Sequence, residues 1–277
     1  MNNSNTIHTL WIGSHLSAME LLTLCSFREN GHSVQVWTYS PSLNIPDGVT
    51  QRDANEIIRE EDVFHYQHAN KYGHGKGSYA GFSDIFRYKL LYEHGGIWAD
   101  MDITCLQPLN LQTPYFFRHH HTMGLVGNLM KCPKHSPLMK WCYEEAAGQV
   151  KSDNMEWLLP IEILKQGVRN HQLEAYIGDI SNPDSFPLVK EYYLHDKQLP
   201  SKWFIFHWMN EEFRRLQLDK DMAIKNSVYE QLLNKYNITH RIATREETRK
   251  VWWATSKLHY AWLNLKARWN WYVQLSK

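Results

Sequence analysis

Cysteine is scarce in this chain, with four in 277 residues. Cys25, Cys105, Cys132 and Cys142 form no C-x-x-C pair, and no disulfide framework is suggested. No run of about 18 apolar residues occurs, so no transmembrane helix is expected. The opening MNNSNTIHTLWIG has no basic segment ahead of an apolar one and does not read as a secretory signal; the expected location is cytoplasmic. Excess charge is missing too. Thirty basic and 29 acidic residues leave a formal net charge of +1, so no global field selects nucleic acid or an acidic partner. Internal repeats and low-complexity segments are absent.

What is present is apolar and aromatic. Hydrophobic residues make up 43% of the chain, enough for a sizeable core. Twelve tryptophans and 15 tyrosines can fill that core, and can also stack on bases and sugar rings. Sixteen histidines include the run His119, His120 and His121, which reads as solvated. The length suits one large α/β domain. Ile7 to Gly13 reads as a strand, Leu16 to Glu29 as a helix stopped by Asn30-Gly31, and Ser33 to Tyr39 as a second strand. Strand, helix, strand with short joins predicts a βαβ unit with helices on the faces of a parallel sheet. Residues 65–82 are polar and glycine-rich, either a lid over a site or a solvated connector. Ser83 is placed to cap a helix running to His94 before Gly95-Gly96, and Ile97 to Thr104 reads as a strand carrying two aspartates. A helix near Pro137–Ala147 and a short strand near Trp203–Trp208 follow.

The chemistry gathers at those aspartates. On an extended strand Asp100 and Asp102 point to one side. Two adjacent carboxylates repel unless a cation lies between them, and a hard oxygen-bound ion, Mn²⁺ or Mg²⁺, suits the pair. Taken alone, D-x-D is a common surface pattern and reads equally as a solvated turn at a strand end. The preceding helix strengthens it. Asp84, Arg87, Tyr88 and Leu91 share one face. Asp84 is placed to accept hydrogen bonds from sugar hydroxyls and Arg87 to fork onto phosphate or sugar oxygens. The plain alternatives are a helix-start charge for Asp84 and an intrahelical pair for Arg87.

The run Ser83-Asp84-Ile85-Phe86-Arg87 through Leu91, Gly95-Gly96 and Asp100-Met101-Asp102 resembles the signature of the DxD glycosyltransferases of family 32 and their relatives, including the sugar-transferring domain of large clostridial toxins. The strand Ile7 to Gly13 is similar to that group's first strand. The resemblance implies an α/β fold of GT-A type: a Rossmann-like mixed sheet flanked by helices, here with a helical C-terminal extension. It implies a retaining transfer from a nucleotide-sugar, with UDP-galactose or UDP-glucose favoured and GDP-mannose the alternative, to a glycan acceptor, lipid-linked or free. With the missing signal peptide it further implies a bacterial lipopolysaccharide or capsule pathway, and the tail described below suggests the inner face of the cell membrane. By position Trp11 stacks on the base, with Ile12 and Tyr39 beside the donor. Asp84 and Arg87 contact the donor sugar, Asp102 binds metal, and Asp100 touches metal or ribose. Asn128, in Gly127-Asn128-Leu129-Met130, and His207, in Phe206-His207-Trp208, are further donor positions, and His207 a third metal ligand. The plain alternatives are a turn asparagine and a packed core histidine. Leu158-Leu159-Pro160 stands where a Gly-Pro step is usual on the acceptor side.

Two other classes compete. Asp100-Met101-Asp102-Ile103-Thr104 also fits the D-x-D-x-T nucleophile motif of haloacid-dehalogenase-type Mg²⁺ phosphatases, with Asp179 and Asp184 imitating their late acidic motif. That reading leaves the Ser83-Asp84…Arg87 helix and the Trp11 strand without a role. A non-catalytic sugar-binding module leaves the full acidic set unexplained. The domain division read from the sequence is 1–245 for the transferase and 246–277 for the extension. That tail holds Trp252, Trp253, Trp262, Trp269 and Trp271 among Lys250, Lys257, Lys266, Arg268 and Lys277, a composition suited to an anionic membrane surface or to packing on the domain.

Overall fold

The computed structural model of the chain describes residues 5–275; Lys277, one of the basic residues of the tail, lies outside them. The βαβ unit forms as its pattern predicts: β1 (Ile7–Trp11), α1 (Ala18–Glu29) and β2 (Val34–Thr38), followed by β3 (Thr50–Asp53). Then come α2 (Ala80–His94), β4 (Gly96–Ala99), β5 (Ile103–Cys105), β6 (Phe116–His120) and β7 (Gly124–Cys132). The remainder is α3 (Pro137–Gln149), α4 (Leu159–Asn170), β8 (Ile177–Gly178), α5 (Phe186–Leu194), β9 (Ile205–His207), α6 (Asn210–Leu216), β10 (Met222–Ala223), α7 (Val228–Lys235), β11 (Arg241–Ile242), α8 (Arg245–Ala254) and α9 (Lys257–Leu275).

Seven strands make one mixed sheet in the order β3-β2-β1-β4-β7-β6-β8. The first four run parallel, and β7 is antiparallel to both β4 and β6. Alternation along β4 splits the core between the sheet's two faces. Trp98 joins the cluster under α2, α3 and α4, whereas Ile97 and Ala99 join the cluster holding Leu24 and Phe27 of α1. A third cluster gathers α5, α6 and α7 around Trp208 and Tyr229, and α8 is pinned to it by Val251. The mixed sheet flanked by helices, ending in a helical C-terminus, is the architecture expected from the sequence.

Two boundaries differ from expectation. Helix α2 starts after Tyr79, so Ser83 is inside it and caps nothing. The extra turn buries Phe82 and lets Gly81 press on Tyr66; a Cβ there would lie 2.4 Å from the tyrosine hydroxyl. At the other end Gly95 and Gly96 both have positive φ, and a Cβ on Gly95 would lie 2.5 Å from the Lys134 nitrogen. Only glycine lets the helix turn this closely into β4. The single strand expected over Ile97–Thr104 is instead two, broken at Asp100-Met101-Asp102. The Asp100 amide donates to Asn128 O at 2.8 Å, and the chain then turns away so that β5 pairs with β9.

His8, buried on β1, accepts a hydrogen bond from the Trp37 indole at 3.1 Å. Burial first, then the neighbouring His94, hold its imidazole down to about 3. The unfolded chain takes up that proton near 6.5, so the stabilisation is complete above that pH and drains away below it. A loss on the order of 2 kcal/mol is expected between pH 6.5 and 5. Denaturant titrations should show it, and His8→Gln, which keeps an acceptor for Trp37, should flatten the dependence. An equally steep profile in that variant would assign the effect elsewhere.

Candidate active site

Strands β1 and β4 end side by side, and a cleft of about 1290 Å³ opens beyond their carboxyl ends. Such ends are where open α/β sheets bind ligands. Trp11, Ile12, Asp84, Arg87, Asp100, Asp102, Asn128 and His207 all line it. Tyr39 does not: its hydroxyl donates to Ile58 O at 2.8 Å, and its ring packs on the core.

Helical spacing puts Asp84 and Arg87 on the face of α2 that turns to this cleft. The Arg87 guanidinium is 2.9 Å from Asp84 and 3.4 Å from Asp100, and lies over the Trp98 ring. The intrahelical pair is thus real, and the same arginine reaches the acidic turn as well. Gly127 makes room for it, since a Cβ there would stand 2.9 Å from Nη1. Arg87 Nε is buried with no partner of its own, a donor held in reserve within the site. Burial raises the Asp84 carboxyl to about 6 against the pull of Arg87. Burial likewise raises Asp100; Arg87 opposes it, and the adjacent Asp102 charge adds to it. Asp100 accepts from the Trp98 indole at 2.6 Å, which aims its carboxylate.

Asp102 is fixed from a distant part of the chain. Its carbonyl accepts from Trp208 N at 2.9 Å, and its carboxylate accepts from Asn210 N, the first residue of α6, at 2.7 Å. His207 Nε2 lies 3.2 Å from the same carboxylate, while Nδ1 bonds Asp184. Burial disfavours the imidazolium, but the two carboxylates prevail and raise it to about 10. The ring therefore acts as a double donor, with Nε2 toward Asp102 and Nδ1 toward Asp184.

Behind His207 is a network that the sequence did not assign. Arg118, 1% exposed, bonds Asp184, Ser181 Oγ (2.6 Å) and Asn128 Oδ1 (2.8 Å). Asn128 is therefore a mid-strand residue whose oxygen is already engaged, not a turn residue. His120 adds Nε2 at 3.4 Å from Asp184, and burial lowers its imidazole to about 4. The histidine run is only partly solvated: His119 and His121 are exposed, His120 is buried. Strand alternation was the available signal. Of the two aspartates that imitate the phosphatase motif, Asp184 serves this network and Asp179 is exposed beyond the cleft lining.

The glycine-rich segment before α2 is strapped down rather than free. Gly75 N donates to Glu211 at 3.0 Å, His74 meets Glu212 at 3.0 Å, and Arg214 donates to Lys76 O at 2.7 Å. Asn70, Lys71, Tyr72 and His74 of this strap line the cleft, as does Trp157, whose ring packs edge-on against His74.

Asp100 and Asp102 supply the hard oxygen donors that a small divalent ion takes, on a turn facing the cleft. Among the described residues, no group of three or more His, Cys, Asp or Glu side chains is spaced to hold a metal by itself.

An α/β sheet with an Asp–Arg helix face meeting a D-x-D turn at its strand ends is the arrangement that the resemblance to DxD glycosyltransferases implies. Residues 29–117 match the family described as glycosyltransferase sugar-binding region containing DXD motif. A search of curated proteins gives no match. Among solved structures the chain is similar to PaToxG glycosyltransferase, at 13% identity and TM-score 0.44 over 91% of this chain and 84% of that one. It is also similar to a transferase solved as a double cysteine-to-serine mutant, at 11% identity and TM-score 0.40 over 62% and 86% respectively.

Proposed function

We propose that the chain moves a hexose from UDP-galactose or UDP-glucose to a glycan acceptor with retention of configuration, using Mn²⁺ or Mg²⁺ at Asp100 and Asp102. The observation that carries this reading is Arg87, which spans from Asp84 to Asp100 on the cleft floor. One guanidinium thereby links the proposed sugar-binding carboxylate to the proposed metal-binding turn. Trp11, at the end of β1, stacks on the base, with Ile12 beside it. Lys220 sits 5.4 Å over the Trp11 ring, a cation near the nucleotide end of the cleft. Asp84 accepts hydrogen bonds from sugar hydroxyls; Arg87 and Asn128 hold the donor's oxygens. The ion, when bound, neutralises charge on the diphosphate as the sugar departs. His207 keeps Asp102 oriented and would be a further ligand to the ion. The acceptor is a lipid-linked glycan of bacterial lipopolysaccharide or capsule synthesis at the inner membrane face, and residues 246–277 form the extension that serves it.

Calorimetric titration of UDP- and GDP-hexoses, with and without Mn²⁺, tests this reading. One UDP-hexose should bind with metal dependence and lose that binding in Asp102→Ala. Binding of GDP-mannose instead would change the donor. If no nucleotide-sugar binds, and an aryl phosphate is hydrolysed with loss in Asp100→Asn, the reaction is phosphate-ester hydrolysis and the proposal fails.

A further inference from the structure

Helix α9 has two unlike faces. Inward, Tyr260 stacks on Phe186, Asn264 accepts from Arg215, and Ala267 meets the strap at Gly73. Trp271, on the same side, lines the cleft. Outward, Leu258, Trp262, Leu265, Trp269 and Tyr272 follow one another at intervals of four, three, four and three, a single stripe along the helix. They are 52–86% exposed. Trp253 of α8 extends the stripe by stacking on His259, which stacks on Trp262. A contiguous apolar stripe of this size on a folded chain marks a surface that meets something else.

The charges beside it identify the occupant. After Glu247 the sequence contains no Asp or Glu, while Arg249, Lys250, Lys257, Lys266 and Arg268 are basic. At 100° per residue, Lys266 borders one edge of the stripe, and Lys257 and Arg268 the other. Pairing two copies of this face would set cations against cations with no acid to answer them. An anionic lipid surface meets both features: apolar side chains enter the headgroup boundary and the flanking cations pair with lipid charge. Among the described residues no helix is long and apolar enough to cross a membrane, so the helix lies on the bilayer. We propose that the outward face of α9 is a docking surface for an anionic bilayer, and that the cleft walled by Trp271 on its inward side opens beside that bilayer. Resting on the glycosyl-transfer reading, this geometry selects an acceptor saccharide carried on a membrane lipid over a free one.

Flotation of the full chain with vesicles gives the test. Wild type should float with phosphatidylcholine vesicles containing phosphatidylglycerol, not with phosphatidylcholine alone, and high salt should release it. Trp262→Ser with Trp269→Ser, and separately Lys266→Glu with Arg268→Glu, should each lower the bound fraction at least tenfold while donor hydrolysis is unchanged. If wild type stays unbound on the anionic vesicles at low salt, or the variants float equally well, the docking surface is wrong. If wild type is a dimer that the tryptophan variant dissociates, the stripe is covered by a second copy and the proposal also falls. Loss of donor hydrolysis in wild type with flotation intact would instead remove the transferase reading and leave the docking surface standing.

Discussion

Asp102→Asn should lower glycosyl transfer by roughly two to three orders of magnitude, the scale seen when one group that stabilises developing charge is removed. The fold should survive, because the amide oxygen still accepts from the Asn210 amide that Asp102 now holds at 2.7 Å. What disappears is the charge. The wild-type carboxyl is buried, which disfavours its ionisation, yet His207 beside it holds it below the usual carboxylate range. It is therefore charged at neutral pH, as an oxygen donor to a cation must be. Steady-state rates at saturating donor and metal, alongside thermal melts, would separate the two effects. Retention of more than a tenth of wild-type turnover would mean that Asp102 does not handle charge in the reaction. Asp102→Ala should be less stable than Asp102→Asn, since it strands the first amide of α6.

The largest loss of stability is expected at Asp184, which touches no proposed ligand. Asp184→Leu leaves the Arg118 guanidinium and the His207 imidazolium without their shared counter-charge in a buried setting. Breaking one side of such a pair costs about 3–5 kcal/mol, far more than the intact pair contributes against an apolar replacement. For a chain of this length, that corresponds to a fall in melting temperature of about 10 °C. Adding Arg118→Met to Asp184→Leu should restore much of the loss, because the orphaned charge goes as well. If Asp184→Leu melts within about 2 °C of wild type, the network is not a stabilising one. Transfer should also fall in Asp184→Asn even where that variant remains folded, through weaker positioning of His207.

Local periodicity carried much of the site. The i, i+3 spacing brought Asp84 and Arg87 together, and the short βαβ joins predicted the parallel half of the sheet. Parity along a strand placed the aspartates side by side, but parity does not say where a strand stops. Asp100 ends β4 because its amide turns to Asn128, and β5 exists because it finds β9, a hundred residues later. Arg118 and Asp184 are 66 residues apart, and either alone reads as an ordinary surface charge. The strap shows the same limit. Its glycines and polar residues read as a loose loop, while its fastening to Glu211, Glu212 and Arg214 lies far along the chain. Tryptophan and lysine enrichment in the tail was plain, but the division of α9 into a core-facing and an outward side depends on the break between α8 and α9 at Thr255-Ser256.

The clasp on Asp102 also sets a timetable. Its carboxylate is closed by an amide 108 residues downstream. During synthesis at about 5–20 residues per second, the acidic turn waits roughly 5–20 s for that partner to be made. Until then Asp102 lacks its clasp and β5 its neighbour, although Asp100 already has Asn128 to turn to. The N-terminal βαβ half has its local contacts well before this, so Asp102 is among the later residues of the candidate site to find its partners. A ribosome stalled before Asn210 would hold an Asp102 whose carboxylate has not met its amide.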